Sequence, residues 1–178
     1  MGKLTAIEGG ICMTAIEVLL KMIDEAFDHR SWHGTNLRGA IRGMTAATAA
    51  FRIAHDRHNI WEHVLHAAYW KYTVRRRLCG EKRGSFPLKG SNWFERPMSE
   101  KSVETDSNDE TLWKADVKLL VDTHESLRAA IAALKPSELD TPAAGGETTI
   151  LSLVTGIAAH DLYHAGQIQL IKRLFANQ

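Results

Sequence analysis

The chain is poor in the features that mark most specialised proteins. Its 178 residues include two cysteines, Cys12 and Cys79, far apart and in no C-x-x-C pair. They read as reduced thiols of a cytoplasmic protein, not as a disulfide framework. An excess of either charge is also missing: 22 Lys+Arg stand against 21 Asp+Glu, a net of +1. That balance argues against a nucleic-acid binder, which gathers basic residues along the phosphates. No uninterrupted apolar run reaches the ~18 residues that span a bilayer. Residues 11–20 carry Glu17 and lack a basic leader or small-residue cleavage site, so no signal peptide is expected. Alternating β-branched segments are absent, and strands are not expected. What remains is 44% hydrophobic and 24% charged, too apolar for disorder, and sized for one domain at roughly 150 residues each. Against this plain background stand nine histidines.

Four segments carry helical spacing. In residues 13–30, Ile16, Leu19, Leu20, Ile23 and Phe27 recur at three and four. Residues 59–79 follow, with Asn59 as N-cap and Gly80 as stop. Residues 109–134 keep the period through Leu112, Leu119, Leu120, Leu127 and Ile131 until Pro136. Residues 148–175 hold Leu151, Val154, Ile157, Ile168 and Ile171. Four amphipathic helices without strands predict an all-α, antiparallel four-helix bundle. Between them, residues 31–53 include a small-residue run, 45–50, that suits a short extra helix. Residues 80–108 are too long for a tight turn, and connectors of that length are usually functional. Residues 1–12 read as an N-terminal appendage to a single domain over 13–178, with Met13 a candidate start whose test is intact mass from the native locus.

The strongest local signal is His160-Asp161-Leu162-Tyr163-His164. Histidines at i and i+4 share a helix face, about 6 Å apart along the axis, so both imidazoles can reach one ion. A bare pair at this spacing also arises on ordinary helix surfaces or as core histidines bonded to neighbours. A third ligand is needed. The second helix offers His63 and His66, and because it is apolar nearly all round, periodicity does not choose between them. The H-D-L-Y-H string also approaches the peptidase motif H-E-x-x-H. Asp161 is one methylene shorter than the glutamate base, and no third-ligand signature follows His164, which disfavours a peptidase.

With both motifs in view, the sequence resembles the DinB superfamily of DinB/YfiT-like metalloenzymes. The likeness lies in residues 160–168 (HDLYHAGQI) and 60–70 (IWEHVLHAAYW), with Trp32-His33-Gly34 and residues 86–93 (FPLKGSNW). It covers nearly the whole chain from Met13. The resemblance implies a DinB-like four-helix bundle with one divalent transition metal, zinc or nickel, held by His66, His160 and His164. His63 precedes the matching position by three residues and is set aside. Three protein ligands leave a fourth position open, the layout of a catalytic site. The implied activity is metal-dependent transfer using a low-molecular-weight thiol as co-substrate. The alternatives are a hydrolase of small amides or esters, or a metal-binding bundle without catalysis. A small-molecule substrate and a homodimer are implied partners, without nucleic acid or membrane.

Other residues carry weaker expectations. Gln167 suits a bond to a ligand or an ordinary polar helix position, and Tyr163 a general acid or a rim tyrosine. Glu62 suits orienting a ligand or facing solvent. Lys71, Arg75, Arg76, Arg77, Lys82 and Arg83 form a basic stretch, normally a solvated face, that could also steer an anionic substrate. Trp61, Trp70, Trp93 and Trp113 read as core or cavity walls. His29, His33, His55, His58 and His124 have no partner at ligand spacing, and Cys79 reads as a structural thiol.

Overall fold

Thr14 opens the first helix with a capping box. Its hydroxyl accepts from the Glu17 amide, and the Glu17 carboxylate accepts from the Thr14 amide. Asn59 and Glu62 repeat the device at the helix that carries His66. Each box satisfies two otherwise orphaned amides, which is why these starts are written in four residues.

The computed structural model describes residues 13–96 and 107–177. They form α1 (Ala15–Phe27), α2 (Leu37–Ala40), α3 (Ala46–Ala50), α4 (Ile60–Leu78), α5 (Ser107–Ala132) and α6 (Ile150–Ala176), with a 3-10 turn at Pro136–Glu138. Among the described residues there is no strand, only an isolated bridge between Pro142 and Thr149. The all-α expectation holds. The four long helices close a ring, α4 packing on α5 and α6 and α1 packing on the same two. Thr45 caps the short helix expected at 45–50, while α2 was not foreseen: four residues are too few to show a period. The appendage over residues 1–12, with Cys12, lies outside the described residues.

The core has two apolar clusters. One gathers Leu37, Phe51, Trp61, Leu65, Leu120 and Ile168; the other gathers Ile23, Leu127, Ile131, Val154 and Ile157. Thirteen of the 19 residues of α4 are buried, so this helix has no solvent stripe to orient it from sequence. Fully burying each large aliphatic side chain contributes roughly 1.5–3 kcal/mol, which lets the bundle hold a few buried charges.

One such charge corrects the sequence reading. Lys71 is not on a solvated face; it is 1% exposed and its Nζ pairs with Asp161 of α6, equally buried. Lys71 Nζ also lies 3.3 Å from His124 Nδ1 and 4.7 Å from the centre of the Phe27 ring. Burial pushes the ammonium down and the carboxyl up, and each partner opposes that shift in the other.

Candidate metal centre

α4 supplies His66, and one turn of α6 supplies His160 and His164. His160 Nε2 lies 3.1 Å from His66 Nε2 and 3.0 Å from His164 Nε2. One ring nitrogen from each of the three lies within 4.8 Å of the others. Imidazole lone pairs this close repel unless a proton or a cation lies between them. A donor set of three imidazoles suits zinc, nickel, iron or copper.

The tautomer of His66 follows from its surroundings. Its Nδ1 lies 2.9 Å from the backbone carbonyl of Asn92, which can only accept. The ring proton therefore sits on Nδ1, and the Nε2 lone pair faces the other two rings. Holding a ligand histidine by its far nitrogen in this way is the usual support of a metal site.

Burial holds the whole group neutral. It pushes His66 down to about 4, against the opposing Asn92 carbonyl, and His164 to about 4. Burial and the neighbouring His164 push His160 to about 3. Near neutral pH all three rings offer lone pairs instead of carrying charge.

Part of the 80–108 connector forms the cover. Gly84 and Ser85 donate to the Tyr72 hydroxyl, and Phe86 and Phe94 pack on Tyr69. The chain then reaches Asn92, a non-glycine residue at φ 67°, whose Oδ1 accepts from Trp70 Nε1 at 3.0 Å. Left-handed backbone in a non-glycine residue is uncommon, and asparagine tolerates it better than most. Next comes Trp93, sandwiched between two imidazoles: His66 at 3.9 Å and 17°, His58 at 3.6 Å and 6°. His58 is thus a partner of the site after all. Its Nδ1 meets Glu62 at 3.1 Å, and Glu62 also takes Arg52 at 2.6 Å. Glu62 is buried, which removes the solvent-facing reading.

His63 lies outside the three-histidine group but touches it, its Nδ1 3.0 Å from His164 Nδ1. Burial, with the adjacent histidines, pushes it down to about 3. Asp161 is buried and turned to Lys71. Tyr163 is 63% exposed at the rim, its hydroxyl accepting from Gln167 Nε2 at 3.0 Å. A cavity of about 370 Å³ opens beside His164, walled by His58, His63, Trp93, Tyr163 and Gln167. A smaller one, about 160 Å³, opens beside His160 between α4 and α6. Trp61 and Trp113 are core residues as expected, whereas Trp70 and Trp93 wall the site.

A family model described as the DinB superfamily matches residues 29–168, well over half of the chain and all three histidines. The chain belongs to the DinB superfamily. No curated protein and no solved structure gives a match. Asn92, Trp93 and His58 thus extend what the DinB histidines alone suggested. Only the string ending in Asn92-Trp93 had drawn attention to that stretch, and nothing in the sequence tied it to His66.

Proposed function

We propose that this DinB protein binds one divalent transition metal, zinc or nickel, through Nε2 of His66, His160 and His164. On that ion it acts as a transferase using a low-molecular-weight thiol. The observation that carries the reading is the convergence of the three Nε2 atoms, with His66 held in the ligating tautomer by the Asn92 carbonyl. Bound there, the ion would supply a Lewis acid able to favour a thiolate at neutral pH.

The protein's own residues support transfer over hydrolysis. A hydrolase that relied on a side-chain general base would need one free beside the ion. Asp161 is bound to Lys71 in the core, and Glu62 is engaged by Arg52, His58 and the Asn59 amide. Two cavities, one meeting His164 and one meeting His160, suit two reactants approaching one centre. Trp93 stacks on His66, which is buried.

The test is metal content by plasma mass spectrometry on untagged protein, wild type beside His66→Ala. About one ion per chain, lost in the variant while helicity persists, supports the site and directs a thiol-transfer screen. No metal in wild type after reconstitution overturns the reading.

A further inference from the structure

We propose that Lys71 is a positioning residue: through Asp161 it holds α6 on α4 in the placement where His160 and His164 meet His66, before any ion binds. This rests on the three-histidine reading of the site and deepens it by naming what assembles the ligands.

The Lys71 ammonium is held by one side chain from each of the other three long helices. Asp161 of α6 pairs with it, and His124 of α5 lies 3.3 Å away through Nδ1. The Phe27 ring of α1 lies 4.7 Å away and is itself stacked on His124 at 3.7 Å. An ammonium only donates, so His124 Nδ1 accepts and the proton of that ring belongs on Nε2. That nitrogen is 4.0 Å from Asp24 Oδ1, which Arg128 holds at 2.8 Å. One cation thus ties every wall of the bundle together.

Asp161 has no other anchor. Its Oδ1 is buried and makes no hydrogen bond among the described residues, which leaves Lys71 as the partner that fixes the carboxylate. Asp161 follows His160 by one residue and precedes His164 by three, so fixing it fixes the turn that carries both ligands. Lys71 stands on α4, the helix of His66. Apolar packing between these two helices is interrupted at the site itself. An open groove lined by Trp70, Val74, Ser152, Leu153 and Gly156 separates them beside His160. On its other side imidazoles face one another, His63 against His164 and His66 against His160.

Stability does not explain the pair. Apolar residues in place of a buried ion pair often stabilise a fold equally or better, and the best-attested use of such pairs is to fix one packing register. Two charges at 1% exposure, on the two helices whose nitrogens must converge, have that use here.

The test compares wild type, Lys71→Met/Asp161→Leu and Asp161→Asn, each metal-free and with cobalt(II) as the probe. The metal-free double variant should keep its helicity and a melting temperature near that of wild type. Its α6 amides should nevertheless exchange hydrogen at least about tenfold faster, a local loosening that global stability does not report. Cobalt(II) should bind at least about tenfold more weakly, the usual scale for losing a ligand's support, with altered d–d absorption bands. Asp161→Asn keeps an oxygen that accepts from Lys71, so it should retain the wild-type cobalt bands while melting lower. Wild-type exchange and wild-type cobalt bands in the double variant would overturn the proposal and leave the metal site standing. Cobalt bands changed as much in Asp161→Asn as in the double variant would overturn it too, because charge and not placement would then decide. Wild type that takes up no cobalt would instead sink the metal reading, and α6 exchange in the metal-free proteins would decide the role of Lys71 by itself.

Discussion

The Nδ1 of His66 donates to the carbonyl of Asn92, 26 residues further along the chain, at 2.9 Å. A buried helix side chain is thus fixed by the backbone of a loop that must hold φ at 67° to present that carbonyl. Asn92→Val puts a β-branched residue in the left-handed region at a cost of ~1–3 kcal/mol. Its metal affinity should fall about 10- to 100-fold, the usual effect of losing a ligand's support. Asn92→Gly keeps the backbone and loses only the bond to Trp70, so it should fall much less. Competitive titration against a chelator ranks the variants, and equal affinities would detach the loop from the site.

His63 tests the proposed division between ligands and their supports. It reaches His164 through Nδ1 at 3.0 Å and stands outside the group of three. His63→Ala should still hold one ion per chain, about 10- to 100-fold more weakly. His66→Ala should hold none. Identical losses in the two variants would move His63 into the ligand set.

Lys71 and Asp161 predict a non-additive pair. Both are fully buried, and Asp161 stands between the two histidines of α6. Lys71→Met strands a carboxylate and should cost about 3–5 kcal/mol in chemical denaturation. The double variant Lys71→Met/Asp161→Leu should recover most of that, since two apolar side chains need no partner. Additive losses in the double variant would show that the charges do not depend on each other.

Acid should unfold the metal-free protein early. Burial pushes His124 down to about 2, and His63, His66, His160 and His164 down to about 3 or 4, from an ordinary value of 6.5. In the interval between the folded and unfolded values the unfolded chain binds more protons, so stability rises with pH there. The contribution is complete above about pH 6.5 and is lost as pH falls toward 4. Each histidine adds at most about 1.4 kcal/mol per pH unit. The melting temperature of metal-free protein should therefore drop steeply from pH 6.5 to 4.5, and a flat profile would contradict buried neutral imidazoles.

Helix limits were largely legible because caps are local. Asn59 reads as an N-cap from its residue type alone, and α4 begins at Ile60. The pair His160 and His164 was legible for the same reason, one turn of one helix. The choice between His63 and His66 was not. Both are buried on a helix enclosed nearly all round, and the contact that distinguishes them comes from Asn92. Lys71 was misread because its counterion lies 90 residues away on α6. A basic run looks solvated until the facing helix supplies a carboxylate. The short α2 escaped for want of length.

Trp93 lies flat against His66 at 3.9 Å, close enough for its excited state to feel whatever the imidazole holds. An ion with a filled d shell, such as zinc, should leave its emission bright, while one with unpaired d electrons, such as copper(II), should darken it. The indole stacked on His66 would thus also be a lamp beside the site, and the strength of its light would record which kind of ion binds there.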